Sequence, residues 1–96
     1  NFKKIDNKMP IPHVGWNSCK INKRNKLFEG INDETDFYFT HSYILENFKK
    51  SDIGTFTKYK TFFPSSVVRE NTFGVQFHPE KSQKNGLKML KNFSKL

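Results

Sequence analysis

The run Asp36-Phe37-Tyr38-Phe39-Thr40-His41-Ser42-Tyr43 constrains the fold more than any other stretch of this chain. Aromatic residues favour strands because their bulk packs well on a pleated surface. The run lacks a clean apolar–polar alternation, which predicts a strand covered on both faces. The remaining sequence has little with which to cover it. Hydrophobic residues make up 34% of the 96, so the core depends on the 11 phenylalanines and the large area each can bury. A chain of this length corresponds to one domain or part of one, with a thin stability margin.

Around this strand the sequence predicts an α/β order ending in a helix. Residues 1–9 are polar and lysine-rich and read as a loop or a ragged start. Proline and glycine make Ile11 to Asn17 an irregular strand, and residues 18–26 a polar connection. Leu27 to Gly30 form a helical turn closed by the glycine. Residues 44–54 read as a loop with room for a helical turn. Thr55 to Phe63 and Ser65 to Val68 pair antiparallel, and Pro64 between them argues for an edge position. A turn over Arg69 to Thr72 leads into the strand Phe73 to His78, which Pro79 stops. Ser82 is placed to cap a final helix over 83–94. In that helix Leu87, Leu90 and Phe93 recur at helical spacing and are expected to face a core, with Met89 flanking. Lys84, Lys88, Lys91 and Lys95 form the wet stripe, and Gly86 predicts close approach of helix to sheet. There are too few helices to cover a sheet on both faces.

Charge excludes more than it identifies. Lys plus Arg is 17 against 9 for Asp plus Glu, a formal net charge of +8. Fifteen of the basic residues are lysines, dispersed rather than gathered, and no nucleic-acid-binding motif accompanies them. Solvated faces account for them, and no nucleic-acid partner is expected. One cysteine, Cys19, excludes an intrachain disulfide framework and a multi-cysteine metal site. No apolar run approaches the roughly 20 residues of a membrane helix, so no membrane association is expected. The start has neither an initiator Met nor the apolar core of a signal peptide. The expectation is a reduced, soluble, cytoplasmic protein with a truncated N-terminus.

The segment Gly74-Val75-Gln76-Phe77-His78-Pro79-Glu80 carries the chemistry. A strand delivers His78 to its carboxyl end, where open α/β sheets place their sites. Extended geometry points residues i and i+2 the same way, so Glu80 can lie beside the imidazole. A carboxylate that accepts the Nδ1 proton leaves Nε2 free as a base. Spacing alone suits an exposed His-Pro-Glu turn equally well. His13 and His41 stand 28 residues apart and 65 and 37 from His78, which matches no compact metal-ligand pattern. They read as structural or partner-facing.

Three strings decide between these readings: Pro12-His13-Val14-Gly15-Trp16-Asn17, then Asp36 to Tyr43, then Phe73 to Gln83, continued by Gly86 to Phe93. Together they resemble the C-terminal half of a class I glutamine amidotransferase, most closely the family of amidotransferase subunits of imidazole glycerol phosphate synthase. Gln-Phe-His-Pro-Glu marks the wider superfamily, and the other two strings single out this subunit family. The likeness runs from about Met9 to Leu96.

The resemblance implies a flavodoxin-like domain with a mixed sheet and flanking helices, of which residues 1–96 are the C-terminal portion. It implies a glutaminase with His78 as base, Glu80 as its orienting acid, and Ser42 and Tyr43 lining the glutamine pocket. Trp16, Tyr38 and Lys81 match positions facing a barrel-shaped cyclase subunit, with which a heterodimer forms. That partner uses the ammonia to make imidazole glycerol phosphate and aminoimidazole carboxamide ribotide in histidine biosynthesis. No metal or other cofactor is implied. The family's nucleophile is a cysteine in a glycine-rich elbow of the N-terminal half, which this chain lacks. Cys19 lies at a position the family does not use for catalysis. Lys60-Thr61, where relatives often have glycine, and Pro64 also depart from the pattern. Two alternatives share the same strings: a paralogue supplying ammonia for amidination of a bacterial surface sugar, and a non-catalytic amidotransferase-like binding module.

Overall fold

The computed structural model describes residues 2–5 and 11–96. Within them the strands run β1 (Phe2–Lys4), β2 (His13–Ile21), β3 (Thr35–His41), β4 (Tyr43–Leu45), β5 (Ile53–Tyr59), β6 (Thr61–Arg69) and β7 (Thr72–Val75). The helix α1 (Gln83–Ser94) follows them. Single 3-10 turns lie at Lys26–Phe28, Lys50–Asp52 and Pro79–Lys81. β1 and β4 form a two-stranded ribbon, and the other strands one sheet in the order β3-β2-β5-β6-β7. The α/β class and the helix after the last strand stand as predicted. Every strand pairing among the described residues is antiparallel, so the parallel pairs of a mixed sheet are not among them. Part of the predicted N-terminal loop is β1; residues 1 and 6–10 lie outside the described residues.

Alternation fixes the faces of the strands. In β3 Phe37, Phe39 and His41 are buried, whereas Tyr38 and Thr40 are only half-buried. The aromatic run is therefore fully covered on one face, not on two. Tyr38 breaks the apparent pattern because an aromatic ring with a polar tip suits a half-wet surface. β2 alternates too, burying His13 and Cys19 while Val14, Trp16 and Lys20 face out. It runs unbroken to Ile21, so the predicted polar connection begins four residues late. Its register on β3 sets His13 opposite His41 and Trp16 opposite Tyr38.

The buried core is aromatic, as the composition requires. Phe28, Phe37, Phe39 and Phe63 are each under 2–3% exposed, with Phe77 stacked on Phe37 at a centroid distance of 4.3 Å. Between β5 and β6 small hydroxyls take over. Thr55 Oγ1 bonds Ser65 Oγ at 2.8 Å and Ser66 Oγ at 2.7 Å, which satisfies polar groups that burial would otherwise penalise. The hairpin turns at Lys60, with φ of 69°, and Pro64 lies inside β6 opposite Phe56. The predicted break near Pro64 is thus misplaced. The edge reading holds locally, because β7 pairs with β6 only over Ser66 to Arg69.

Helix α1 is rotated away from the docking its leucines predict, so that Leu90 and Phe93 only border a groove with Leu27 and Phe73. Leu87, Leu90 and Phe93 are 65%, 42% and 58% exposed, and the buried residues are Gly86 and Met89. Two things turn the helix. Gly86 lets the backbone meet the Pro79 carbonyl, so closely that a Cβ there would stand 1.8 Å from the oxygen. Asn92 Nδ2 donates to the carbonyls of Leu27 and Glu29 at 2.9 and 2.8 Å, and Lys88 Nζ donates to Gly30 O at 2.9 Å. The helical turn predicted over Leu27 to Gly30 is present as the 3-10 turn Lys26–Phe28, with Gly30 at φ of 73°. No helix among the described residues is long and apolar enough to cross a membrane. Gly86→Ala is expected to destabilise the fold by roughly 1–3 kcal/mol through overpacking. Thermal denaturation checks this, and an unchanged Tm would show that the helix does not approach the turn so closely.

Candidate active site

The chain after β7 crosses from one margin of the sheet to the other. Gln76 N–H donates to Ser65 O on β6 at 2.9 Å, and two residues later His78 N–H donates to Tyr38 O on β3 at 2.9 Å. Phe77 between them is 3% exposed and anchors the crossing in the core. Because β3 and β7 are the outer strands, this crossing curls the sheet. His78 takes φ −103° and ψ 99°, extended as the residue before proline prefers.

Pro79 opens a 3-10 turn, and that turn brings Glu80 back to the imidazole. The expected juxtaposition is present, but it comes from the turn rather than from strand alternation. His78 Nδ1 lies 3.1 Å from Glu80 Oε2, with the two side chains 35% and 59% exposed. The carboxylate accepts the Nδ1 proton, so Nε2 presents its lone pair. Glu80 is held below the usual carboxylate range, first by its own backbone N–H and then by His78.

Ser82 completes the clamp on His78. Its Oγ donates to His78 O at 2.6 Å and accepts from Tyr38 N–H at 2.9 Å, with the residue 1% exposed. The predicted side-chain cap on α1 is absent, because this hydroxyl is already committed to the sheet. One strand residue, Tyr38, thus fixes His78 directly through its carbonyl and indirectly through its N–H. Neighbouring Lys81 donates its N–H to the same His78 carbonyl at 3.1 Å, and its side chain is exposed. On the outer face Trp16 is 48% exposed and meets Tyr38 edge-on, with centroids 5.9 Å apart.

Residues 3–96 match the family model described as "Glutamine amidotransferase class-I". The chain belongs to that family. Among its relatives is "Imidazole glycerol phosphate synthase subunit HisH" of Pelagibacter ubique, 49% identical over 96 residues, covering 97% of this chain and 46% of the relative. The protein of the same name from Pyrococcus furiosus is 54% identical over 86 residues, covering 88% of this chain and 44% of its own length. That from Methanocaldococcus jannaschii is 46% identical over 95 residues, 99% of this chain and 46% of the relative. The chain therefore spans about half the length of the curated relatives it matches.

Of the remaining residues singled out in the sequence, Ser42 and Tyr43 lie at the junction of β3 and β4, and Cys19 lies on β2. Ser42 is half-buried, and its carbonyl accepts from Ile5 N–H at 2.8 Å. Tyr43 opens β4 and is 55% exposed, and its carbonyl accepts from His41 Nδ1 at 2.9 Å. Cys19 lies fully buried beside Thr57, and burial pushes its thiol up to about 11, which suppresses the thiolate a nucleophile requires. Among the described residues no three His, Cys, Asp or Glu side chains gather as a metal would need.

His13 and His41 are in contact with each other. His13 Nδ1 is 2.9 Å from His41 Nε2, and both residues are buried. The sequence signal for this pair was the alternation of Phe37, Phe39 and His41, masked by Tyr38. Nothing in the sequence signalled the double bond made by Ser82, since a serine before a helix ordinarily caps it.

Replacing Ser82 by Ala takes the partner from the half-buried Tyr38 N–H and is expected to cost roughly 1–3 kcal/mol. Urea denaturation of the two proteins measures it, and equal midpoints would count against the clamp. Stability should also depend on acid. Burial, and secondarily the charge of His41, lowers His13 from 6.5 to about 4, so the unfolded chain takes up that proton first. The contribution is full above about pH 6.5 and declines as pH falls toward 4. Midpoints measured across that window should fall, and His13→Phe should flatten the slope.

Proposed function

We propose that this chain is the C-terminal portion of an ammonia-supplying glutaminase, the amidotransferase subunit of an imidazole glycerol phosphate synthase. The observation that carries the reading is the His78–Glu80 pair, bonded at 3.1 Å and solvent-accessible at the 3-10 turn that follows β7. The names of the relatives support the choice of subunit.

In this reading a cysteine thiolate from the remainder of the domain attacks the carbonyl carbon of the glutamine side-chain amide. His78 Nε2 takes the thiol proton and returns it to the departing nitrogen, releasing ammonia. Water, deprotonated by the same nitrogen, then cleaves the thioester to glutamate. Glu80 holds the imidazole in the tautomer that permits both transfers. Ser42 and Tyr43 line the glutamine pocket. Trp16, Tyr38 and Lys81 face a barrel-shaped cyclase subunit, which receives the ammonia. The exposed Trp16–Tyr38 contact supports that placement, since such aromatics anchor interfaces. Ammonia is nucleophilic only while unprotonated, so a partner docked over the site keeps it from bulk water.

His78→Ala in the full-length protein is expected to lower glutamate release by at least 100-fold, the scale of a lost general base. Glu80→Gln should lose less. The 96-residue chain alone should release none. Retained turnover in His78→Ala would show that another group is the base. Failure of the full-length gene to rescue a histidine auxotroph lacking this subunit would reject the synthase assignment.

A further inference from the structure

His13 and His41 form a one-way chain of hydrogen bonds whose direction follows from the acceptors at its ends. The chain is fixed at both ends by backbone carbonyls, which only accept. At one end Tyr43 O lies 2.9 Å from His41 Nδ1, so that nitrogen carries hydrogen. The neutral ring then has its lone pair on Nε2, which must accept from His13 Nδ1 at 2.9 Å. His13 in turn has its lone pair on Nε2, facing Asn17 Nδ2 at 3.4 Å. At the other end Asn17 Nδ2 donates to Lys58 O at 2.8 Å, which settles the orientation of that amide.

Packing holds both rings. His13 lies flat between Phe39 and Tyr59, with centroids 5.0 and 4.0 Å away, and Phe63 meets both imidazoles. Reversing the chain would turn His13 Nε2–H against the Asn17 amide hydrogens. Burial also disfavours the charged form of either ring, and the charge that His78 can carry adds to this at His41. The neutral, directed arrangement is the one this pocket accepts.

What the chain ends on is the turn after β3. His41 Nδ1–H fixes the Tyr43 carbonyl while Ile5 N–H fixes that of Ser42. We propose that His41, with its tautomer set by His13, is a positioning residue that shapes the Ser42–Tyr43 turn for glutamine binding. The proposal rests on the reading of Ser42 and Tyr43 as pocket residues. It gives the buried histidines a task distinct from the proton transfers of His78.

The test uses the full-length protein with its synthase partner. His41→Phe keeps an aromatic ring in the pocket, and His13→Phe keeps the stack while removing the donor. Each is expected to raise KM for glutamine about tenfold, the scale of one lost hydrogen bond. The same variants should leave kcat within about twofold and the pH profile of kcat unmoved, since uniform binding is what they remove. A loss in kcat, a displaced pH profile or an unchanged KM would overturn the assignment. Nitrogen-15 NMR of the unsubstituted protein reads the tautomers without glutamine. Both rings should be neutral with hydrogen on Nδ1 between pH 7 and 8, and hydrogen on His41 Nε2 would overturn the relay. Absence of glutaminase in the unsubstituted protein would count against the proposed function, and the ring-nitrogen spectrum would still decide the relay.

Discussion

The hydrogen bond from His78 N–H to Tyr38 O holds the two margins of the sheet in one structure. Without it β7 would end on β6 and β3 would be an open edge. With it the sheet curls, and the inward faces of β2, β3 and β6 enclose the phenylalanine core. Ser82 and Gly86 depend on the same contact. Ser82 Oγ reaches Tyr38 N–H only because His78 is already seated, and the Pro79 carbonyl that Gly86 accommodates follows directly. The residue with the proposed chemistry is therefore also the closure of the fold. Rigidity at His78 comes from backbone bonds, which leaves its side chain free to bond Glu80 and face solvent.

A core built from phenylalanines leaves gaps that flat rings fill poorly, and here polar groups fill them. The hydroxyls of Thr55, Ser65 and Ser66 satisfy one another between β5 and β6. The imidazoles of His13 and His41 pack among Phe39, Tyr59 and Phe63. None of the buried side-chain polar atoms among the described residues lacks a hydrogen-bond partner. Such networks tolerate few alternative arrangements, because each unmade bond in a low-dielectric interior is costly.

Much of this was legible in the sequence. The β3 strand, the turn closed by Gly30 and the helix over 83–94 follow from local patterns that depend on a few neighbouring residues. So does the nearness of Glu80 to His78, although the route is a turn. The strand predicted from Phe73 to His78, by contrast, ends at Val75 and not at Pro79. What failed was whatever depends on distant partners. Leu87, Leu90 and Phe93 repeat at helical spacing, yet Gly86 and Asn92 choose the docked side, because close backbone approach and carbonyl bonds to Leu27 and Glu29 decide it. Ser82 reads as a cap until Tyr38, 44 residues away, is seen to claim its hydroxyl. The polar residues of β2 hide a strand whose burial comes from β3 and β5.

Trp16 is the chain's only tryptophan, and it stands half-exposed against Tyr38, the residue whose backbone seats His78. Its indole is thus a built-in optical gauge at the margin of the site. Any molecule that settles over this face dries the ring and shifts its emission toward the blue, with no label attached and no background from a second indole in this chain.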